Sequence, residues 1–314
     1  LDFFKKEIYQ IPKKDLWEIK KIKIFSEKSG DENLLNFENN KNNLFYMMKN
    51  AKLYDVLKKT VSKNKFFKKT IINKSNFNEK SPDIGKYDLI INCDSNNLLS
   101  KKYFTKRIIK DYYNLAYTAI LKHDKLENNT AIQVFTKFGP IAFLPISNME
   151  TSVVCSLENK NKKYSDTEVL NLIKKHNSKL KIKKISSLGN FKLQSSNLRS
   201  YHYKNILAFG DLLHRIHPLA GQGFNMTIRD IKILSEIIQN KIDLGIHLDS
   251  AVFDSFEKKT RHKNFIFSNS IDFIHEIFNI EKKIKNQSFN KVLKLVGKNK
   301  NVTNYLIRLA DKGF

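Results

Sequence analysis

The segment ILAFGDLLHRIHPLAGQGFNMTIRD, residues 206–230, constrains the fold more than any other part of the chain. An apolar run of strand type ends at Gly210 and Asp211, and a Gly-Gln-Gly turn at 221–223 leads into a helical pattern. In an α/β sheet, ligands bind at the carboxyl ends of the strands, where the first amides of the next helix also point. The segment therefore predicts a cradle for a phosphate or an electron-rich ring. The alternative is an ordinary strand–loop–helix connection, which needs no paired glycines beside a Gly-Asp.

The first hundred residues contain two strand patterns and one helical pattern. Residues 19–27 alternate and predict a strand, and residues 44–61 predict a helix with Leu53, Val56 and Leu57 on one face. The apolar run at 86–94 ends in polar residues and predicts a strand that is buried on both faces of a sheet.

The middle of the chain is rich in β-type patterns, and the remainder is mostly helical. Residues 104–160 predict antiparallel strands joined by turns at 139–140 and near Asn148. A helix capped by Ser165 or Asp166 follows, and then the buried strand at 205–211. Another helix carries Ile231, Leu234 and Ile238 in register, and the pattern stays helical after residue 250. The sequence thus predicts an α/β protein of the α+β kind, in which a β-rich segment interrupts a parallel-type α/β unit.

Composition excludes some classes of protein and leaves others open. The chain has 314 residues, enough for a sizeable core, and a formal net charge of +26. The excess of lysine fits either compositional drift or an anionic partner, since the lysines are spread along the chain. Two cysteines build neither a disulfide framework nor a Cys-x-x-Cys zinc site, and they fit a reducing cytoplasm. There is no apolar run of transmembrane length.

The Gly-Asp segment resembles a flavin motif. It is similar to the GD-x-x-H-x-x-x-P-x-x-GQG-x-N-x-x-x-x-D signature of FAD-dependent aromatic hydroxylases of the p-hydroxybenzoate hydroxylase type, in particular the branch that acts in ubiquinone biosynthesis. In this chain the signature falls on Gly210, Asp211, His214, Pro218, Gly221, Gln222, Gly223, Asn225 and Asp230. Further segments resemble the same family: the strands from 128 to 147, the helix at 44–57, the C-terminal helices and YDLIINCDSNNLLS, which resembles its second flavin motif.

The resemblance implies the cofactor and the residues that hold it. The Asp211 carboxylate would bind the ribityl chain of FAD. The backbone of residues 221–225 would bind the pyrimidine edge of the flavin. Asp94 would contribute from the second motif; the alternative is that it only caps its strand end. The expected cofactor residues are Gly210, Asp211, Pro218, Gly221, Gln222, Gly223, Phe224, Asn225 and Asp94.

The resemblance also implies a division of the chain. Residues 1–103 would be a partial FAD-binding domain of Rossmann type, 104–200 an inserted antiparallel substrate domain, 201–250 the return to the FAD-binding domain, and 251–314 a C-terminal helical region. The family opens with a βαβ unit that carries GxGxxG, and no such motif occurs here. We therefore expect that the first βαβ unit is missing, through a truncated record or through genuine decay. Thr227 and Asp94-Ser95 also depart from the family pattern.

The implied activity is an NAD(P)H-dependent monooxygenase reaction, in which a flavin hydroperoxide formed with O₂ hydroxylates a polyprenylated phenol. The sequence identifies no phenol-activating residue. His214 and His217 invite a metal hypothesis, but two histidines without further ligands favour a loop role and no metal site. Arg229 is left open between pairing with Asp230 and binding a phosphate.

Three other functions are alternatives. One is a flavoprotein hydroxylase or reductase of a small soluble aromatic compound, and another is a decayed homologue without activity. A nucleic-acid module is disfavoured, because the basic residues are dispersed and the Gly-Asp motif has no role in it.

An insoluble substrate implies contact with a bilayer, so we expect a cytoplasmic protein that lies peripherally on the inner membrane, with other ubiquinone-biosynthesis proteins as partners. A basic and apolar C-terminal stretch fits the surface of an anionic leaflet; drift explains it equally well. It comprises Lys282, Lys283, Lys285, Lys291, Lys294, Lys298 and Lys300 with Phe289, Val292, Leu293, Leu295 and Val296.

Overall fold

The computed structural model describes residues 11–27, 33–38, 43–71, 84–159, 162–177, 179–217 and 222–283. They form two compact units, one from residues up to 67 and residues 113–193, the other from residues 68–112 and 194–276. The strands are β1 (Trp17–Ile19), β2 (Lys21–Ser26), β3 (Asn33–Glu38), β4 (Phe45–Met47), β5 (Ile90–Asn92), β6 (Arg107–His123), β7 (Thr130–Phe135), β8 (Pro140–Pro145), β9 (Glu150–Glu158), β10 (Ile182–Ile185), β11 (Gly189–Leu198), β12 (His202–Tyr203), β13 (Ile206–Ala208) and β14 (His214–Arg215). The helices are α1 (Asn50–Ser62), α2 (Leu98–Tyr103), α3 (Asp166–His176), α4 (Gln222–Asp243) and α5 (Ala251–Lys283).

A large sheet dominates the first unit, where the strand order is β6-β9-β8-β7-β2-β3 with β10 paired to β6. The predicted antiparallel strands of the middle segment are confirmed as β6 to β9. β2 joins them through a parallel pairing with β7, so the strand near the start of the chain completes this sheet. The assignment of FAD-binding and substrate roles to segments of the chain stays a prediction.

The turn between β7 and β8 depends on a glycine. Gly139 has φ of +145°, a region that L side chains rarely adopt, and a Cβ built there would lie 1.7 Å from the backbone oxygen of Ser156. The Thr136 hydroxyl donates to the Gly139 carbonyl at 2.7 Å and fixes the turn. The predicted turn at Gly139-Pro140 is therefore confirmed, with a close backbone approach as its cause.

Helix α3 packs on this sheet and begins where the sequence predicts. The Ser165 hydroxyl accepts from the Glu168 amide, and the Glu168 carboxylate accepts from the Ser165 amide, which is a capping box. Val169 and Ile173 are buried against the sheet together with Cys155, and burial raises the pKa of that thiol to about 12. Cys155 is therefore a core residue, as expected.

The second unit contains a small sheet of β12, β13 and β5, with β13 parallel to β5. All three residues of β13 are buried, which confirms the buried strand predicted before Gly210. Apolar residues of α4 and α5, among them Leu234, Phe253 and Phe256, pack against this strand. No helix in the described part of the chain is long and apolar enough to cross a membrane.

Two local expectations about secondary structure are wrong. The helix predicted over 44–61 begins only at Asn50, because Phe45–Met47 pairs antiparallel with Trp17–Ile19 and forms β4 instead. The strand predicted at 86–94 exists as β5, but it is not buried on both faces, since Ile91 is 47% exposed. Contacts distant in sequence decide both outcomes, and local periodicity does not report them.

Candidate functional site

The carboxyl ends of β5 and β13 lie side by side in the second unit. Ala208 is in register with Asn92, and the Phe209 amide donates to the Asn92 carbonyl at 2.9 Å. Gly210 then turns the chain with φ of +60°, and a Cβ added there would meet no atom within 4 Å. The Asp211 side chain comes next and is exposed. Parallel pairing thus brings Asp211 and Asp94 to one edge of the sheet, as the sequence predicts for a ligand-binding edge.

Asp94 occupies a tight polar turn after β5. Its carboxylate accepts from the Asn96 amide at 2.8 Å, and its carbonyl accepts from the Ser100 hydroxyl. The buried Asn92 side chain donates to Ser100 Oγ at 2.9 Å and accepts from Asn97 Nδ2 at 2.7 Å. These bonds hold the strand end against the start of α2. Asp94 therefore caps its turn, and one of its carboxylate oxygens already has a donor; a flavin role stays a prediction.

Helix α4 begins earlier than expected. The helix begins inside the Gly-Gln-Gly segment, and its first turn consists of Gln222, Gly223, Phe224 and Asn225. The expected turn over residues 221–223 is therefore wrong for Gln222 and Gly223. Their backbone amides are the leading amides of a 22-residue helix, for which the helix itself supplies no acceptors. Pro218 and Gly221 lie outside the described residues.

Side chains of this first turn differ sharply in exposure. Phe224 and Asn225 are exposed, whereas Gln222 is only 6% exposed, and its Oε1 has no hydrogen-bond partner among the described residues. A buried carbonyl oxygen without a donor is costly, and because this oxygen is shielded from solvent, a ligand N–H would reach it only if neighbouring residues move. Gly223 packs close to Ile216, whose Cγ1 would lie 3.7 Å from an added Cβ.

A buried hydrogen bond between His214 and Asp230 fixes β14, the strand that follows Asp211, to helix α4. His214 Nε2 lies 2.5 Å from Asp230 Oδ2, and the Asn264 amide reaches the two Asp230 oxygens at 3.2 and 3.4 Å. His214 lies in β14 and is not the loop residue that the sequence suggested. The pair lies at both ends of the segment that contains most of the predicted cofactor residues, so it ties β14 to α4 on either side of them.

Among the described residues Arg229 forms no ion pair with Asp230, so that one of the two roles left open is wrong; binding of a phosphate stays a prediction. Its guanidinium carbon lies 4.2 Å from the centroid of the Phe267 ring, while Asp230 pairs with His214. Burial lowers the pKa of the Arg229 guanidinium, and Asp230 raises it by a smaller amount. The cation is therefore packed on an aromatic face of α5.

Another polar cluster lies beside the candidate site and was missed by sequence reasoning. The His217 ring meets the Tyr112 ring edge-on at 4.7 Å, and the Tyr112 hydroxyl donates to Asp272. Lys110 forms an ion pair with the same carboxylate at 3.7 Å. Burial and the Asp272 bond raise the pKa of the Tyr112 phenol.

The sequence of α5 contains a signal for the polar residues by which this helix contacts Asp230 and Asn197. Small polar residues recur four apart and share one helix face, which turns out to be buried. Asn264 contacts Asp230, and Ser268 accepts from the Asn197 amide at 3.2 Å. The polar residues of this face are Thr260, Asn264 and Ser268.

The comparison with known families falls on the same elements. Residues 115–246, from β6 to the segment after α4, match the FAD binding domain family. The chain is similar to FAD-dependent aromatic hydroxylases of the ubiquinone branch. This confirms the family resemblance and FAD as the expected cofactor.

Two curated relatives carry names from ubiquinone biosynthesis. The chain is 25% identical over 241 residues to the ubiquinone biosynthesis monooxygenase COQ6 of Dictyostelium discoideum, a match that covers 60% of this chain and 49% of that protein. It is 30% identical over 155 residues to 3-demethoxyubiquinol 3-hydroxylase of Escherichia coli, covering 46% of this chain and 39% of that protein. The chain thus spans about half the length, or less, of these relatives.

Solved structures support the fold class. The p-nitrophenol 4-monooxygenase PnpA of Pseudomonas putida superposes with a TM-score of 0.70 at 11% identity, covering 96% of this chain and 83% of that one. At this identity the likeness shows the fold alone. It confirms the predicted mixed α/β architecture of flavin-dependent monooxygenases.

Proposed function

We propose that this protein binds FAD at the edge formed by β5, β13 and the start of α4, and that it hydroxylates a polyprenylated phenol in ubiquinone biosynthesis. The observation that carries the proposal is the parallel pairing of β13 with β5, which places the exposed Gly210-Asp211 at a strand end in a segment that also contains the start of α4 and matches the FAD binding domain family. The substrate class comes from the names of the two curated relatives.

The described residues fit the cofactor. Gly210 leaves open space at the strand end, so a ligand can approach the backbone there. The exposed Asp211 carboxylate can accept hydrogen bonds from ribityl hydroxyls, and the buried Gln222 oxygen can accept from an N–H group of the flavin ring once neighbouring residues move. The α4 amides, with the positive end of the helix dipole, favour an electron-rich ring edge.

The cofactor and the polypeptide divide the chemistry between them. When bound, FAD supplies reduction by NAD(P)H and activation of O₂, which amino-acid side chains do not provide. The protein would orient the phenol and exclude water from the reacting atoms. The His214–Asp230 pair would hold β14 and α4 in place beside the ring.

The test is a comparison of two substrates under NAD(P)H and O₂. The protein is incubated with a polyprenylated phenol in detergent and, separately, with the same phenol without its prenyl chain. The proposal predicts a product that is heavier by one oxygen atom from the prenylated phenol, with label incorporated from ¹⁸O₂. Product from the unprenylated phenol alone would instead favour the small-substrate alternative.

A further inference from the structure

The end of helix α1 carries an ordered turn that holds two phenylalanines in solvent. Asn64 Oδ1 accepts from the Phe66 amide at 2.9 Å, and the Asn64 carbonyl accepts from the Phe67 amide at 3.0 Å. The side chain of Phe66 is 85% exposed and that of Phe67 is 47% exposed. Local hydrogen bonds therefore fix a conformation in which a large apolar surface faces water, and a partner must compensate that cost.

The charge around this turn is of one sign. Between Val56 and Ile71 the chain has no Asp or Glu, and its lysines are Lys58, Lys59, Lys63, Lys65, Lys68 and Lys69. All six are exposed, and no carboxylate among the described residues forms an ion pair with them. The ammonium of Lys65 lies 5.0 Å from the Phe66 ring centroid, so basic and aromatic groups are neighbours. Uncompensated positive charge beside an apolar wedge is complementary to an anionic and apolar partner.

We propose that residues 58–67, the basic-aromatic tip, dock this unit on the surface of an anionic lipid bilayer. Phe66 and Phe67 would enter the boundary between headgroups and acyl chains, while Lys58, Lys59 and Lys63 contact lipid phosphates. Leu53 and Val56 of α1 are half-buried, so they do not belong to the exposed surface of the tip.

A bilayer fits this tip better than a nucleic acid does. Single-stranded nucleic acid needs a basic groove that tracks its backbone as well as stacking rings. Here the described residues offer a helix end and one turn, with adjacent phenylalanines in place of spaced stacking platforms. The inference does not depend on the proposed function, because bilayer binding is measured without FAD turnover. It also differs from the basic C-terminal stretch, since Lys285, Lys291 and the residues after them lie outside the described part of the chain.

Vesicle co-sedimentation tests the proposal with the full chain. We expect binding to vesicles of phosphatidylcholine with phosphatidylglycerol, weak binding to phosphatidylcholine alone, and a fall as salt is added. Each lysine at an anionic leaflet contributes about a fivefold gain in partitioning, so Lys58→Glu, Lys59→Glu, Lys63→Glu and Lys65→Glu together should remove most binding. Phe66→Ser should lower it about tenfold or more.

The control with the same charge change replaces four other exposed lysines by Glu: Lys13, Lys14, Lys125 and Lys184. The apolar control is Phe191→Ser, because Phe191 is as exposed as Phe67.

A fluorescent variant makes the test independent of net charge. The emission of Phe66→Trp should shift to the blue when vesicles with phosphatidylglycerol are added, and that of Phe191→Trp should not. Equal losses in the tip and control variants would overturn the proposal in favour of diffuse charge. An unshifted Phe66→Trp spectrum with vesicles bound would also overturn it, and so would tip-dependent binding to an oligonucleotide without binding to vesicles. Circular dichroism melts confirm that each variant is folded.

Discussion

His214 Nε2 lies 2.5 Å from Asp230 Oδ2, and both side chains are 2% exposed. These residues join the strand after Asp211 to helix α4, and Asn264 of α5 completes the network. The sequence between the two residues contains most of the predicted FAD contacts. The stability of this pair and the geometry of the candidate site are therefore linked.

Asp230→Asn should lower the free energy of unfolding by about 1–3 kcal/mol, because it removes one of the two oxygens that bond His214 and Asn264 in a buried network. Urea denaturation measures the change. The matched control is Glu236→Gln on the same helix, an exposed residue 3.9 Å from Lys232, where we expect a loss of less than about 1 kcal/mol. Similar small losses in both variants would contradict a structural role for the pair.

Gly139→Ala should destabilise the first unit strongly, since the new methyl group would lie 1.7 Å from the Ser156 oxygen. We expect a loss of at least about 2 kcal/mol in the free energy of unfolding, from backbone displacement added to conformational strain. Gly245→Ala is the control, because Gly245 also has a positive φ, +65°, but open space around it. It should cost only about 1–2 kcal/mol. Equal losses would show that strain alone accounts for the effect.

Glu168 should make stability depend on acid pH. The hydrogen bond from Lys162, followed by that from the Ser165 amide, lowers the pKa of this exposed carboxyl from 4.5 to about 2. Because the folded pKa is depressed, the contribution is present above pH 4.5 and is lost as the pH falls towards 2. The Tm difference between wild type and Glu168→Gln should close across that window. A Tm difference that stays constant across that window would contradict the assignment.

Gln222 should show opposite effects on stability and on cofactor binding. Replacing it by Met removes a buried oxygen without a donor, so Gln222→Met should leave the flavin-free protein unchanged or about 1 kcal/mol more stable. The same change should weaken FAD binding about tenfold, because a ligand N–H loses its acceptor. Thermal melts without FAD and FAD titration measure the two quantities. Weaker binding together with lost stability would indicate general disruption instead.

Local sequence signals predicted part of the fold. The Ser165 cap of α3, the Gly139-Pro140 turn and the buried strand before Gly210 each follow from residues close together in the chain, and the structure contains all three. Phe45–Met47 forms a strand because it pairs with Trp17–Ile19, and no local pattern reports such a partner. The same holds for the parallel pairing of β2 with β7.

The candidate site was predictable in its motif but not in its supporting contacts. Gly210, Asp211 and Asp94 lie at one strand edge, as the order of elements indicates. His214 and Asp230 are bonded although they lie 16 residues apart in the sequence, and Asp230 and Asn264 although they lie 34 apart. Contacts of this kind depend on how two helices and a strand pack, which periodicity within each element does not specify.

The most direct test of the central claim is the flavin content of Asp211→Ala. Asp211 is exposed at the end of the strand, and losing its hydrogen bonds to the cofactor should cost about 1–3 kcal/mol, which is roughly fivefold to 150-fold in FAD affinity. The control is Asp243→Ala at the far end of α4, where the carboxylate bonds only to exposed Gln239 among the described residues. The account predicts a yellow wild-type protein, a yellow Asp243→Ala variant and an Asp211→Ala variant that has lost most of its flavin absorbance. A folded wild-type protein that binds no FAD, or an Asp211→Ala variant that binds it as tightly as wild type, would contradict the account.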